Sequence, residues 1–398
     1  MTIPFQKMPR NVWILGFVSL LTDISSEMIH ALLPLFLVSV LGAPVLTVGL
    51  IEGIAEATAS IVKIFSGALS DYLGQRKTLA VFGYALSTFV KPLFALSVNP
   101  IGVLAARFGD RVGKGIRVAP RDALVADVTP EGMRGAAYGL RQSLDTIGAF
   151  CGPLIAVCLM AGSNNNFRLV FWFALIPGVL AVGLLAMGIK EPKKTQKQSK
   201  PINPLQWQTL KTLSQDYWIL VAIALLFNLG NSSDAFLLLR ASQVGISDAF
   251  VPLTLLVMNL AYSLSAYPVG VLSDRWSRMG LLVSGYLLYA LVYIGFAFAQ
   301  TPWQVWGLFA LYGLHLGMSQ GVLLALIAGK IPQDLRGTAF GFLNLAVGVA
   351  LLPASVLAGG LWQSFGATTT FITGSGFAIL ATLLLIWQSL RGVKSIKA

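Results

Sequence analysis

Between Ile101 and Asp127 the chain reads IGVLAARFGDRVGKGIRVAPRDALVAD, a stretch as long as a membrane span and set among long apolar runs. It carries Arg107, Asp110, Arg111, Lys114, Arg117, Arg121 and Asp122. At about 100° per residue these side chains fall within an arc of roughly 140°. The opposite side shows Ala105, Gly109, Val112 and Ile116. A charge in hydrocarbon costs at least ~2.5 kcal/mol even on the mildest scale. The stripe must therefore face a bundle interior or a water-filled cavity. Two chemistries fit: internal Arg–Asp pairs that hold helices together, or a polar wall along which a polar solute passes.

A second group could move protons. Asp23, Glu27 and His30 stand at i, i+4 and i+7, within roughly 60° of one helical face. Burial favours the neutral carboxyl, and histidine titrates near neutrality. The alternative is that Asp23 and Glu27 are permanent partners of the 101–127 cations; both can hold in different conformations. Arg141 and Asp145 also share a face, as do Glu52 and Glu56, with Lys63 seven residues after Glu56 and Lys91 beside Pro92. Proton coupling is therefore expected at Asp23, Glu27, His30 and Asp145. Substrate contact is expected at Arg107, Lys114, Arg117 and Arg141. The second half has few span charges, Asp234 and Arg240. Its polar handles are Asn228, Asn231, Ser232, Ser233, Tyr262, His315, Gln320 and Asn344. Of these, Asn231, Tyr262, His315 and Asn344 join Asp234 as expected substrate contacts, although a lone histidine on a helix is more often hydrogen-bonded structure than a relay. The asymmetry suggests charge-coupled chemistry in the first half, with shape and aromatic contacts in the second.

These residues need a scaffold of spans. The chain has 398 residues, 56% hydrophobic and 11% charged, with mean hydropathy +0.76. This is the composition of a polytopic helical membrane protein and excludes a soluble enzyme. No cleavable signal peptide is evident at Met1–Arg10. Cys151 and Cys158 lie in an apolar stretch with no His or carboxylate spacing, so neither a disulfide framework nor a metal site is expected. Twelve spans are expected: roughly 12–40, 47–70, 78–97, 101–127, 135–161, 169–189, 216–241, 249–273, 280–299, 302–329, 337–361 and 368–390. Of the 28 basic residues, eighteen fall in the termini and the loops on their side, one (Arg168) in an opposite loop, and nine within spans. The positive-inside rule then puts both termini in the cytoplasm. The net charge of +12 is a topology signal, and no nucleic-acid partner is expected. EPKKTQKQSKPINP reads as a cytoplasmic tether. The domains are thus 1–190, a linker at 191–212, and 213–398.

The halves repeat. Gly67-Ala-Leu-Ser-Asp71 recurs as Gly270-Val-Leu-Ser-Asp274, an offset of 203. Arg134-Gly-Ala-Ala-Tyr-Gly139 recurs as Arg336-Gly-Thr-Ala-Phe-Gly341, an offset of 202. Two matches at nearly one offset indicate duplication of a six-helix unit.

At these residues the chain resembles the major facilitator superfamily over essentially its whole length. The resemblance implies an all-α membrane fold of twelve helices in two pseudo-symmetric halves. The family's loop motif G-x-x-x-D-R-x-G-R-R/K appears as Gly67, Asp71, Gly74 and Arg76, and in the second half as Gly270, Asp274 and Arg275. It implies a conformational latch at Gly67, Asp71, Arg76, Asp274 and Arg275, where an aspartate meets a helix N-terminus or an arginine. The family's helix 4 motif fits Arg111 and Gly115, with Lys114 where a Gln is usual; the resemblance implies proton transfer at Arg111. The antiporter-type G-x-x-x-G-P appears as Gly148, Gly152 and Pro153, and equally reads as a small-residue packing face.

The resemblance implies a secondary transporter working by alternating access. Proton-coupled efflux of a small organic solute is the expectation, such as an organic anion or carboxylate-type siderophore. Proton-coupled import is the alternative. The expected partners are the solute, protons and the lipid bilayer of a bacterial inner membrane, with the protein acting as a monomer and without cofactor. No H-E-x-x-H, G-x-S-x-G or P-loop pattern is present to favour a membrane enzyme or a primary pump. A non-transporting sensor is disfavoured by the charged fourth span. A cysteine placed at Ser199 should resist a membrane-impermeant reagent added outside intact cells; labelling there would overturn the topology.

Overall fold

The computed structural model describes residues 8–73, 75–130, 133–189, 213–275, 277–328, 331 and 336–397, and every regular element among them is a helix. The expected all-helical membrane fold is the fold observed. The chain forms two compact units, Met1–Leu41 with Ile54–Pro204 and Gly42–Gly53 with Leu205–Ala398. The tether at 191–212 lies outside the described residues.

In the first unit three helix breaks lie beside prolines, whereas Pro120 and Pro153 sit inside continuous helices. The chain runs α1 (Arg10–His30), α2 (Leu33–Leu35), a π-turn over Phe36–Val40, α3 (Val45–Leu73), α4 (Arg76–Phe89) and α5 (Lys91–Leu96). It continues through α6 (Pro100–Asp127), α7 (Arg134–Gly162), α8 (Phe167–Phe173) and α9 (Leu175–Gly188). A proline lacks the N–H that would bond the carbonyl four residues back, and its ring crowds that carbonyl. Pro34, Pro92 and Pro177 thus act on His30, Thr88 and Phe173. The helices break beside these positions, after His30, at Val90 and at Ala174. α6 starts cleanly: Asn99 Oδ1 accepts the Gly102 N–H at 2.9 Å, and Pro100 opens the helix.

Lipid tails give apolar side chains no reason to leave them, so helices associate by close packing of small residues. α4 and α6 meet at Gly83 and Gly113. A Cβ on Gly83 would sit 2.8 Å from Arg117 N and Gly113 O, and one on Gly113 would sit 2.7 Å from Gly83 O. α1 and α7 meet at Gly148 and Gly152, where an added Cβ would lie 2.9 Å from Asp23 Cβ and 2.8 Å from Glu27 Cβ. An apolar cluster in this unit includes Val12, Leu15, Val18, Leu144, Ala181 and Leu185.

The second unit holds α10 (Gln215–Gly230), α11 (Ala235–Gln243), α12 (Pro252–Arg275), α13 (Arg278–Phe298), α14 (Pro302–Ala328) and α15 (Arg336–Lys397). The start of α3 belongs here because Gly53 packs on α15, where its Cβ would lie 2.9 Å from Leu352 Cα. α15 has 62 residues, a straight length of roughly 90 Å and far beyond one bilayer. It breaks at Gly366, whose φ of 86° suits only glycine.

Among the described residues nine helices are long and apolar enough to cross a membrane, against the twelve spans expected. The difference has physical causes. α6 is too charged to qualify, and Ala339–Leu390 is continuous across the Gly366 bend; the described side chains of α12 include an apolar stretch at Pro252–Ala266.

Gly152→Ala should lower the thermal midpoint in detergent, at a cost of about 1–3 kcal/mol, because the methyl must displace Glu27 or the Ile24 carbonyl. Gly139→Ala meets nothing within 4 Å and should raise it slightly through helix propensity. Equal midpoints for the two variants would refute this packing.

Candidate functional site: a charged cluster and an aromatic cavity

The α6 stripe is buried, and its arginines have defined partners. Arg107, Asp110, Arg111 and Arg117 are each less than a tenth exposed. Arg111 Nη2 lies 3.2 Å from Glu56 Oε1 on α3. Arg107 Nη2 lies 2.9 Å from His30 Nδ1. A guanidinium only donates, so His30 accepts there and a neutral ring carries its proton on Nε2. Arg117 donates to Ser87 Oγ at 2.5 Å and lies over the Tyr84 ring at 4.9 Å. Both contacts follow from the Gly83–Gly113 approach of α4 to α6. Arg121 pairs with its neighbour Asp122 at 2.9 Å. Arg141 pairs with Asp145 at 3.0 Å, one turn along α7.

Three charged groups are different. Among the described residues the side chains of Lys114, Asp23 and Glu27 make no hydrogen bond or ion pair and are half-buried, and the buried Asp110 carboxylate of the same stripe also has none. The reading of Asp23 and Glu27 as standing partners of the α6 cations is not the arrangement in this structure; Glu56 takes that place on Arg111. The two carboxylates still share a neighbourhood with Asp145, Arg117 and Lys114.

The helix breaks generate a network that spacing alone did not reveal. Lys91 opens α5 at the Val90 break and is 2% exposed. Its ammonium donates to Ser25 Oγ, with Ser26 Oγ at 3.4 Å. Ser25 Oγ in turn donates to the carbonyl of Ala174, at the break between α8 and α9. Arg168 closes the end of α5 by donating to Ala95 O at 2.7 Å and Ser97 O at 2.9 Å. The three prolines were the available signal for this cluster.

Of the latch residues, Arg76 meets Asp127 at 2.6 Å and the Ala123 carbonyl at 3.2 Å, a cation at the C-terminal end of α6. Gly67 faces Ala119 of α6, where its Cβ would lie at 3.3 Å. The side chains of Asp71, Asp274 and Arg275 lie outside the described set.

The second unit offers a cavity of about 330 Å³. It brings together the expected Asn231, His315 and Asn344, along with Phe227, Tyr286 and Gln320. Tyr262 is not among the lining residues. Asn231 and Asp234 bracket the unwound stretch between α10 and α11. The Tyr312 hydroxyl lies 3.0 Å from Asn231 Oδ1 and 3.3 Å from Asp234 Oδ1, and Tyr289 donates to Gly230 O at 2.8 Å. Arg240 caps α13, donating to Phe296 O and Ala299 O at 2.9 and 2.8 Å. Phe227 and Tyr286 stack with ring centroids 3.9 Å apart. This aromatic wall was missed from sequence because its members come from α10, α13 and α14 and have no common spacing.

Removing one partner of a buried ion pair costs about 3–5 kcal/mol, because the other charge is left uncompensated. Glu56→Gln should therefore destabilise the purified protein clearly more than Glu27→Gln, measured by thermal unfolding in detergent. The reverse order would contradict the Arg111–Glu56 pairing.

Comparison with known proteins places this geometry. The model of the Major Facilitator Superfamily matches residues 15–240 and 235–397. The chain is 33% identical to an uncharacterised MFS-type transporter of Methanocaldococcus jannaschii, over 96% of each chain. It is 27% identical to the gentisate transporter of Corynebacterium glutamicum, over 85% of this chain and 78% of that one. A POT family transporter crystallised with 5-aminolevulinic acid has the same fold, with a TM-score of 0.81 and 16% identity over 97% of both chains. An all-helical fold with charges buried inside it and a polar cavity, together with these matches, defines a multi-pass membrane transporter of small organic solutes, and the chain belongs to the Major Facilitator Superfamily.

Proposed function

We propose that this transporter takes up a small organic anion together with a proton, with Lys114 receiving the anion and Asp23 and Glu27 carrying the proton. The observation that carries this reading is Lys114. The other cations of its stripe, Arg107, Arg111, Arg117 and Arg121, have side-chain partners, and Lys114 has none among the described residues. An unpaired cation in a low-dielectric interior is costly, and an incoming carboxylate relieves that cost. The gentisate transporter's name, that of a carrier of an organic acid, supports the same substrate class.

The sign of the coupling follows from electrostatics. Lys114, Arg117 and Lys91 are the cations in the neighbourhood of Asp23, and of these Lys91 and Arg117 are already held by hydroxyls. A carboxylate facing a free cation stays ionised, and one that loses it takes up a proton more readily. An anion bound at Lys114 neutralises that cation. Anion and proton binding then favour each other, and by linkage the effect is reciprocal. Cooperative binding of the two is the scheme for symport. Export was expected from Gly148, Gly152 and Pro153. Close packing of α7 on α1 at both glycines supports the packing reading of this motif. Both termini are assigned to the cytoplasm on the distribution of basic residues. Arg76 in the first half and Arg275 in the second, which stands at the repeat position of Tyr72, are assigned to conformational switching.

In proteoliposomes, organic-anion affinity should tighten as pH falls, and an inwardly directed proton gradient should drive accumulation. Glu27→Gln should abolish pH-driven accumulation and leave solute exchange largely intact. Lys114→Gln should weaken anion binding by about tenfold or more, as expected for loss of a charge-assisted contact. If the Asp23→Asn, Glu27→Gln double variant still concentrates solute on a pH gradient, the proton is carried elsewhere.

A further inference from the structure

We infer that the cavity of the second unit binds an uncharged, hydroxyl-bearing ring, with its O–H donated to Nε2 of His315. This rests on the transport reading above only in the choice of probes. The argument begins with a carbonyl. His315 Nδ1 lies 2.7 Å from Gly285 O, and a carbonyl oxygen cannot donate. The proton of this contact is therefore on Nδ1, so in the neutral ring Nε2 is a bare acceptor. His315 is 1% exposed and lines the cavity, and Nε2 has no partner among the described residues. The imidazole is surrounded by the rings of Phe227, Tyr289 and Tyr312, at 5.6, 5.0 and 5.8 Å. None of these supplies it a hydrogen bond, and an unsatisfied polar atom in such a wall is costly.

The rest of the lining narrows the ligand. Asn228 Nδ2 donates to Ala224 O at 2.8 Å, which leaves its Oδ1 as a second acceptor beside the cavity. The Tyr286 hydroxyl, also on this wall, has no partner among the described residues. No Asp, Glu, Lys or Arg is among the lining residues. Acceptors at His315 Nε2 and Asn228 Oδ1, with no cation in the lining, favour a hydroxyl donor, whose oxygen the lining amides and the Tyr286 hydroxyl can meet. The stacked Phe227–Tyr286 pair adds flat apolar surface suited to a planar ring. At about 330 Å³ the space is near the lower end of ligand pockets. It suits one substituted ring better than a peptide or a large drug.

The test uses the full chain in nanodiscs and three probes that share one charge: benzoate, meta-hydroxybenzoate and meta-methoxybenzoate. The methyl ether keeps the ring and the oxygen and puts a methyl group in place of the donated proton, and the same pair compared on the His315 variants separates bulk from the hydrogen bond. Isothermal titration should show meta-hydroxybenzoate binding about tenfold tighter than the ether, the worth of one well-made buried hydrogen bond. His315→Phe should abolish that preference and leave benzoate affinity within about twofold, while His315→Gln, which restores an acceptor, should recover part of it. Asn228→Leu keeps the test available if His315→Phe fails to fold, and it should reduce the preference without removing it. Equal binding of the three probes to the unmodified protein, with pH-driven anion uptake intact, would overturn this inference and leave the transport reading standing. A hydroxyl preference that survives His315→Phe would overturn it as well. If no aromatic anion binds or exchanges, both fall.

Discussion

Hydrocarbon supplies no hydrogen-bond partner, and that constraint explains most of what this chain does with its polar groups. Each proline that frees a carbonyl, and each charge carried into a span, must be satisfied from within the protein. The Ala174 carbonyl is met by Ser25, and Ser25 by the buried ammonium of Lys91. The open end of α5 is met by Arg168, that of α13 by Arg240, and the unwound end of α10 by the Tyr289 hydroxyl. These residues stabilise irregular backbone at depth, where it would otherwise be too costly to persist. The breaks in turn set side chains at places a continuous helix could not reach, among them His30, Lys91, Asn231 and Asp234.

Against that satisfied frame, the groups without partners stand out. Lys114, Asp23 and Glu27 in the first unit, and the Nε2 of His315 in the second, have none among the described residues. They are not scattered. The two carboxylates lie where Gly148 and Gly152 press α7 onto α1, and Lys114 lies on the helix that Gly83 and Gly113 bind to α4. Glycine thus does two things at once: it permits the close approach on which membrane helices rely, and it brings charged faces against their neighbours. A site built in this way is held by packing, and its chemistry resides in the few groups that packing leaves open.

The two units divide the work differently. The first holds most of its arginines on carboxylates, a histidine or hydroxyls and leaves Lys114, Asp23 and Glu27 open, so that its electrostatics respond to whatever binds or displaces one of them. The second carries stacked rings, amides and one imidazole, which respond to shape and to hydrogen-bond donors. A duplicated six-helix plan does not require equal chemistry in both copies: at the repeat offset of 202, Arg141 and Asp145 correspond to Leu343 and Val347.

Fold class, membrane setting and the charged fourth span were legible in the sequence, because they depend on quantities that add along the chain: apolar run length, basic residues per loop and the angular position of neighbours on a helix. The repeated Gly67–Asp71 and Arg134–Gly139 motifs belong to the same kind of information. Helix periodicity also put Asp23, Glu27 and His30 on one face. It could not say which face meets which helix. That Glu56 rather than Asp23 or Glu27 holds Arg111, that Lys91 reaches Ser25, and that Phe227, Tyr286 and His315 share one wall are contacts between residues far apart in sequence. Such contacts depend on the rotation and depth of each helix against its neighbour. Those are fixed by close approach at particular glycines and by breaks beside particular prolines, and so only the packed tertiary structure decided them.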